Sequence, residues 1–414
     1  MSKSRVVITG IGTITPLGFG YEEFWRNLLA GKSGVSLVEN FPTEGFTVRF
    51  GAEIKKWDPT PWVDPKEAKR MDRFCQFAVA AATEAVKDSG IDFSKADTTR
   101  CGSIWGSGIG GLTELQETHS TFLNKGPTRL SPFFIPRLMI NAAPGQIAIK
   151  YGLKGPNFST SSACASANHS MGCALRSIQT GEADVIVTGG SEAALTYLGL
   201  AGFAGMGALS KRNDNPQAAS RPFDKDRDGF VLGEGAAAFI FEKLEHAKGR
   251  GARIYAEVVG FGQSDDGYHL TAPEPTGEGA VLAMQKGLAD AALRPDQITY
   301  INAHGTSTPL NDKAETAAIK KVFGAHASKV SINSTKSMTG HLLGAAAAIE
   351  LAVTVLSIRD KKIHPTINYE TRDPECDLNY TPNEGRDLAV EFAISNSLGF
   401  GGHNSVIVVG RYKG

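Results

Sequence analysis

Residues 159 to 190 read STSSACASANHSMGCALRSIQTGEADVIVTGG and place one cysteine, Cys164, in a run of small side chains. A turn-like segment, LKGPNF, precedes this stretch, and a helical pattern and an apolar run ending in two glycines follow Cys164. This order predicts a turn from a strand into a helix at Cys164, followed by a buried strand. Unpaired N–H groups at a helix start favour the thiolate, which is the nucleophilic form of cysteine. By itself the pattern fits a nucleophile and a buried structural cysteine equally well.

Alternating strands and helices extend through the rest of the chain. Six apolar runs end in glycine and predict buried strands: VVITGIG, CGSIWGSGIGG, DVIVTGG, AEVVGFG, YINAHGT and NSLGFGG. Helical patterns lie between them at residues 66–90 and 277–293. Glycine at the end of such a strand allows its loop to approach a ligand closely. Together these patterns predict an α/β fold.

Composition and charge are those of an ordinary globular protein. Among 414 residues, 43 are Lys or Arg and 43 are Asp or Glu, which argues against nucleic-acid and membrane-surface partners. The first apolar strand begins within five residues, which leaves no room for a signal peptide. The longest apolar stretch, 342–358, contains Glu350 and is too short for a membrane span. Five scattered cysteines without CxxC spacing argue against disulfides and a zinc site, so we expect a cytoplasmic protein with no metal and no membrane insertion.

Two motifs resemble ligand sites but lack a required residue. GSGIGG at 106–111 matches a dinucleotide-binding pattern, but the acidic residue expected about 20 positions later is missing. A tight glycine turn is therefore favoured there. DKDRDGFVLGEG at 224–235 begins like a calcium loop, but its twelfth position is Gly235 instead of glutamate. An acidic–basic turn stabilised by Arg227 is favoured for this segment.

Two histidines lie in loops similar to that of Cys164. His304 follows an apolar strand in YINAHGTSTPLND, and His341 begins an Ala-rich helix five residues after Lys336. A single histidine in such a loop is more often structural than catalytic. Two of them, together with a cysteine at a helix start, predict a site for nucleophilic catalysis.

Longer motifs carry a family resemblance over nearly the whole chain. They are the cysteine loop, NAHGTSTPLND, STKSMTGHLLGAA, RPFDKDRDGFVLGEGA and GFGGHN. With them the chain resembles the β-ketoacyl-acyl-carrier-protein synthases, and among these the elongating condensing enzymes of fatty acid synthesis. The resemblance implies a thiolase-like α/β fold with two similar halves, 1–251 and 252–414, in a five-layered α/β/α/β/α arrangement. It also implies a homodimer.

The resemblance further implies roles for the central residues. Cys164 would accept the acyl group, and His304 and His341 would act at the malonyl site. Lys336 would either bind a substrate anion or pair with Glu350 and hold the loop that bears His341, and the second role is favoured because a free ammonium beside Cys164 would compete with the histidines. No cofactor is implied, because the substrates are carried on the pantetheine arm of acyl carrier protein.

Residues around this centre also match family positions. Phe400 matches a gating phenylalanine whose backbone N–H, with that of Cys164, would hold the oxyanion. Other matched positions line the acyl pocket (Ile109, Phe134 and Phe203) or contact the pantetheine arm (Thr271, Thr306 and Thr308). A basic patch for the acidic carrier protein would consist of Lys66, Lys69, Arg70, Arg129 and Arg212. A solvated charged surface explains these basic residues equally well.

The implied reaction is a decarboxylative Claisen condensation that lengthens an acyl chain by two carbons from malonyl-acyl carrier protein. Two neutral imidazoles suit it because they can donate N–H bonds to the enolate oxygen. Leu398 stands where the family often has Phe, and SSACASA differs from the commoner Thr-containing form. The alternative is therefore a ketosynthase of a type II polyketide or specialised-lipid pathway. Cys164 argues against a non-catalytic partner subunit, and the lack of a second site cysteine argues against a thiolase.

Overall fold

The computed structural model describes residues 3–414. The strands are β1 (Val6–Thr15), β2 (Gly18–Phe19), β3 (Ser36–Leu37), β4 (Phe50–Gly51), β5 (Cys101–Gly106), β6 (Asn157–Thr160), β7 (Val185–Glu192), β8 (Gly235–Lys243), β9 (Ala256–Asp265), β10 (Tyr300–Asn302), β11 (Ser331–Asn333), β12 (Lys362–Ile363), β13 (Arg386–Asp387), β14 (Phe392–Gly399) and β15 (His403–Gly410). The α-helices are α1 (Tyr21–Leu29), α2 (Pro65–Ala68), α3 (Arg73–Ser89), α4 (Leu112–Lys125), α5 (Phe134–Leu138), α6 (Ala142–Tyr151), α7 (Ser166–Gln179), α8 (Tyr197–Gly205), α9 (Leu244–Gly249), α10 (Glu278–Asp290), α11 (Pro309–Phe323), α12 (Lys336–Thr339) and α13 (Ala346–Asp360). Each apolar run that predicted a strand overlaps one, and the pattern at 277–293 forms α10.

The large strands form one continuous mixed sheet. Their order is β11-β10-β14-β15-β9-β1-β8-β7-β5-β6, and β2 pairs with β1. Strands that precede residue 251 form one half and later strands form the other, and the antiparallel pair β1–β9 joins the halves. β5 is parallel to both of its neighbours, and so is β10. That the halves 1–251 and 252–414 are similar units stays a prediction.

Helices cover both faces of each half. α7 and α13 pack between the halves, in a core shared by inward-facing residues of β1, β8, β9 and β15. α3 and α6 cover the outer face of the first half, and α10 and α11 cover that of the second. Alternate residues of β8 face the two helix layers, as the pleat of a strand requires. Each half of the continuous sheet therefore forms one layer, with α7 and α13 between the two halves and further helices outside each. This is the predicted order of helices, sheet, helices, sheet and helices.

Glycines inside two strands allow these helices to approach closely. A Cβ on Gly12 of β1 would lie 2.1 Å from the carbonyl oxygen of Ala81 in α3. A Cβ on Gly262 of β9 would lie 2.0 Å from the carbonyl oxygen of Ala283 in α10. These glycines serve helix–strand packing, so the expectation that strand glycines mark ligand contacts is wrong for VVITGIG and AEVVGFG.

The helical pattern at 66–90 is interrupted. α2 ends at Ala68 and α3 begins at Arg73, because Asp72 accepts the N–H of Phe74 at 3.1 Å and caps the second helix. Most of the apolar stretch at 342–358 lies in α13, in which every residue from Ala346 to Ile358 is buried. Among residues 3–414, the helices are all too short or too polar to cross a bilayer.

The segment at 224–235 is an acidic–basic turn, as predicted. Asp224 accepts hydrogen bonds from Arg221 and from the backbone N–H groups of Glu370 and Thr371. Arg227 donates to Asp373 at 2.6 Å. These hydrogen bonds occupy the carboxylate of Asp224, the first ligand position of a calcium loop.

Candidate active site

A strained turn presents Cys164 between β6 and α7. Ala163 adopts a positive φ of 49°, which costs a non-glycine residue about 1–3 kcal/mol. The hydroxyl of Ser166 accepts the N–H of Ser162 at 2.9 Å and donates to the carbonyl of Ala163 at 2.6 Å, which closes the turn. A Cβ on Gly399 would lie 3.2 Å from the Cys164 nitrogen. The small residues therefore permit backbone contacts between the two halves of the protein.

Cys164 is buried, with 6% of the residue exposed. Burial raises the pKa of this thiol to about 12, although the charge of Lys336 and the N–H of Phe400 lower it. The expectation of a resting thiolate at the helix start is therefore wrong, because desolvation outweighs the favourable charges. Cys164 is a thiol in the resting protein.

His341 lies beside this sulfur, with its Nε2 atom 3.0 Å from Sγ. Its Nδ1 accepts the backbone N–H of Leu343 at 3.2 Å, so the ring proton is on Nε2. The backbone N–H of His341 donates to Val231 at 2.7 Å, which holds the residue against the neighbouring segment. His341 is thus fixed as an N–H donor toward Cys164.

His304 reaches the same space from the end of β10. Its backbone N–H donates to Glu315 at 2.8 Å, and its Nδ1 lies 3.2 Å from the Lys336 ammonium. Because Lys336 can only donate, His304 also carries its ring proton on Nε2. The rings of His304 and His341 are 5.3 Å apart and nearly perpendicular. Burial is the main cause that lowers the pKa of both imidazoles well below 6.5, so both are neutral.

Lys336 forms a buried ion pair with Glu350, as predicted. Burial raises the pKa of Glu350 to about 7, while Lys336 lowers it. The ammonium also donates to the carbonyl of His304 at 2.7 Å. The side chain therefore contacts both Glu350 and His304. The ion pair spans the segment that bears His341, and its role in holding that loop stays a prediction.

Cys164, His304 and His341 have the composition of a zinc site, and their donor atoms lie within 4.8 Å of one another. A histidine that binds metal through one ring nitrogen normally donates a hydrogen bond from the other. Here both Nδ1 atoms face donors, the N–H of Leu343 and the ammonium of Lys336. The arrangement fits N–H donation into the cavity and does not fit metal ligation.

A cavity of about 390 Å³ connects these groups with the surface. Thr271, Thr306 and Thr308 line it, and the hydroxyls of the last two are 2.9 Å apart. Phe400 and Leu398 also line it, and the backbone N–H of Phe400 contacts Cys164. A long, narrow substrate arm can therefore enter past hydroxyl groups and reach the sulfur.

Two sequence-family models match the chain, “Beta-ketoacyl synthase, N-terminal domain” over residues 3–247 and “Beta-ketoacyl synthase, C-terminal domain” over residues 255–370. The chain is also 49% identical to the 3-oxoacyl-[acyl-carrier-protein] synthase 2 of Synechocystis sp., covering 100% of this chain and 99% of that relative. The chain belongs to the β-ketoacyl synthase family. Membership confirms the predicted class, an acyl-transferring condensing enzyme.

Solved structures confirm the thiolase-like fold of this β-ketoacyl synthase. A β-ketoacyl synthase from Burkholderia phymatum is 36% identical, with a TM-score of 0.92 over 99% of this chain and 100% of that one. A ketosynthase described in complex with its type II PKS acyl-carrier protein is 37% identical, with a TM-score of 0.90 and the same coverage.

The predicted acyl-pocket residues of this β-ketoacyl synthase occupy different settings. Phe203 packs against Phe230, with ring centroids 5.5 Å apart, and Phe230 packs against His341 at 5.3 Å. Ile109 is 38% exposed and Phe134 is half-buried, and neither lines the cavity. Their acyl-pocket role stays a prediction.

The predicted docking residues do not form one helix face. Lys66 lies on α2, whereas Lys69 and Arg70 follow its end, because the helix stops at Ala68. Arg129 is exposed on a short 3-10 turn. Arg212 donates to the carbonyl of Asp226 at 2.6 Å. Their docking role also stays a prediction.

Sequence reasoning missed three buried carboxylates that support the site. Glu315 accepts the N–H groups of His304 and Gly305, each at 2.8 Å. Asp312 accepts the N–H of Thr306 at 3.0 Å, and Glu192 accepts that of Gly344 at 3.0 Å. Each of these acidic residues lies inside or directly after an otherwise apolar segment. That position was the sequence signal that could have predicted a buried carboxylate.

Because His304 and His341 are neutral, we expect neither ring to titrate near neutral pH. Between about pH 8 and pH 6, the ring Cε1–H NMR signals of His304 and His341 should not shift, because their pKa values lie well below 6.5. Spectra of His304→Ala and His341→Ala assign the two signals. An unfolded chain protonates both rings near pH 6.5, so folding stability decreases as the pH falls below that value. A midpoint between pH 6 and 7 for either ring would contradict the assignment.

Proposed function

We propose that the protein is an elongating 3-oxoacyl-[acyl-carrier-protein] synthase, which condenses an acyl group on Cys164 with malonyl-acyl carrier protein. The observation that carries this proposal is the pair of neutral imidazoles whose Nε2–H groups face the cavity beside Cys164. The name of the Synechocystis relative supports the substrate class. Elongation by two carbons follows from the use of a malonyl extender.

The first half-reaction transfers the acyl group. The sulfur of Cys164 attacks the thioester carbonyl of acyl-carrier protein, the bond to the pantetheine sulfur breaks, and the thiol proton ends on that leaving sulfur. The N–H of Phe400 already points at the sulfur and lowers the pKa of Cys164. With the N–H of Cys164 it would hold the tetrahedral oxyanion.

The second half-reaction makes the new carbon–carbon bond. Malonyl-acyl carrier protein loses CO₂, and the bonding electrons form an enolate whose oxygen accepts hydrogen bonds from His304 and His341. The enolate carbon attacks the acyl carbonyl on Cys164, the C–S bond breaks, and the thiolate is reprotonated from water. A buried site with fixed donors stabilises the enolate more strongly than water does.

A carrier protein and a second copy of the chain complete the proposal. The related ketosynthase was solved with its acyl-carrier protein, and the basic residues around α2, with Arg129 and Arg212, are the proposed contact surface here. β6 is one of the two edge strands of the sheet, and exposed apolar side chains lie on it and on the preceding segment 122–149: Phe122, Leu123, Phe133, Ile135, Ile149 and Phe158. An exposed strand edge with such a surface favours a homodimer. The proposed compartment is the cytoplasm.

A type II polyketide or specialised-lipid ketosynthase is the second candidate. The related ketosynthase bound to a hexaketide is 37% identical over 99% of this chain. Leu398 lines the cavity where the family often has a larger phenylalanine. Both candidates use the same three site residues and differ in what happens to the 3-oxo product.

Product analysis tests the proposal. With saturated acyl-carrier protein and malonyl-acyl carrier protein, we expect one 3-oxoacyl product, two carbons longer, with one CO₂ released per product. Intact-mass analysis of the carrier protein measures it. A series of unreduced poly-3-oxo products would favour the polyketide candidate, and no CO₂ release with any primer would overturn both.

A further inference from the structure

Glu192, at the end of β7, is a buried carboxylate outside the proposed reaction. It is 0% exposed and accepts four hydrogen bonds. Three come from the 107–109 loop: the hydroxyl of Ser107 at 3.0 Å, and the N–H groups of Gly108 at 2.7 Å and Ile109 at 3.2 Å. The fourth comes from the N–H of Gly344 at 3.0 Å. Among residues 3–414, no basic side chain lies within 4.0 Å of this carboxylate.

The carboxylate joins two loops that meet backbone to backbone. A Cβ on Gly344 would lie 2.2 Å from the nitrogen of Gly108 and 2.6 Å from Oε2 of Glu192. A Cβ on Gly108 would lie 2.9 Å from the same oxygen. The two loops therefore meet so closely that a side chain at Gly108 or Gly344 would collide with the Glu192 carboxylate.

One of these loops sets the tautomer of His341. The N–H of Leu343 donates to Nδ1 of His341, and Leu343 has a positive φ of 49°. Such a conformation persists only where its surroundings hold it. The adjacent N–H of Gly344 is held by Glu192, so this carboxylate fixes the turn that keeps the proton of His341 on Nε2.

We propose that Glu192 is a positioning residue that couples the loop bearing Ile109 to the donor state of His341. The inference rests on the proposed function. The 107–109 loop contacts the cysteine turn, because the hydroxyl of Ser161 donates to the carbonyl of Gly108 at 3.2 Å. Displacement of this loop by an acyl group on Cys164 would be transmitted through one carboxylate to the His341 turn. The enolate-stabilising N–H group would then depend on the occupancy and length of the acyl group.

Glu192→Gln tests this coupling, because the amide is isosteric but replaces one acceptor oxygen with a donor. We expect kcat for malonyl decarboxylation by the acyl-enzyme to fall about 10- to 100-fold, which is the cost of a misplaced donor. The KM for malonyl-acyl carrier protein should stay unchanged, and the dependence of kcat on primer length should flatten.

Glu242→Gln is the matched control. Glu242 is also 0% exposed, and it bonds Arg250 and Thr9 at 2.8 Å on β8. In the sheet, Glu242 lies opposite Val185, which is at the other end of β7 from Glu192. At the rise per residue of a strand, the two ends of β7 are about 23 Å apart. Its loss destabilises the fold without touching the site, so wild-type kinetics are expected.

The outcomes separate the two proposals. If the wild type condenses and folded Glu192→Gln keeps the wild-type kcat and primer dependence, the positioning role is overturned. Equal kinetic losses in Glu192→Gln and Glu242→Gln would also overturn it. If the wild type itself does not condense, the proposed function fails instead. Should Glu192→Gln not fold, Ser107→Ala removes one of the four donors, and unchanged kinetics in that variant overturn the inference.

Discussion

Cys164→Ala is expected to form no acyl adduct with acyl-carrier protein, whereas the wild type gains one acyl group per chain. The sulfur is the only proposed acceptor, and Cys164 lines the cavity next to His341. Removal of a catalytic nucleophile can cost on the order of 10⁶-fold in turnover, so condensation should become undetectable. Intact-mass analysis after incubation measures the adduct directly.

Cys173→Ala is the control for this substitution. Cys173 lies on α7, the helix that begins beside Cys164, and is a free, partly exposed thiol. It should acylate like the wild type. An adduct that persists in Cys164→Ala, or disappears in Cys173→Ala, would contradict the assignment of the nucleophile.

His304→Ala and His341→Ala should each still acylate Cys164 but lose malonyl decarboxylation by about 100- to 1,000-fold, the cost of one oxyanion donor. The reason is that each ring supplies one Nε2–H group, and neutral rings supply it without a proton transfer. The double variant should lose less than the product of the single losses, because the two donors act on one oxygen. Release of labelled CO₂ from malonyl-acyl carrier protein measures the effect.

His326→Ala controls for the loss of an imidazole. His326 contacts the carbonyl of Ile298 at 2.9 Å in a turn after α11 and does not line the cavity. Its decarboxylation rate should equal that of the wild type. Unchanged malonyl turnover in both His304→Ala and His341→Ala would remove their assigned role.

The sequence patterns predicted the α/β class and grouped the three central residues as a catalytic site, and the family resemblance implied the five layers. Each of Cys164, His304 and His341 lies in a loop next to a regular element, so its setting is visible in a few neighbouring residues. The glycines of β1 and β9 were interpreted wrongly, because their contacts are with helices more than 20 residues away in the chain. The split between α2 and α3 was missed because the side-chain cap of Asp72 interrupts an otherwise continuous helical pattern.

Protonation and orientation were decided only by the tertiary structure. Burial by residues from both halves makes Cys164 a thiol, and no local pattern reports that desolvation. The tautomers of His304 and His341 depend on an ammonium from α12 and on one backbone N–H. Glu192 joins the 107–109 loop to Gly344, which lies 152 positions from Glu192 along the chain. The sequence by itself shows which side chains lie in the loops of the site. The positions of their protons depend on charges and donors that only folding brings within hydrogen-bond distance.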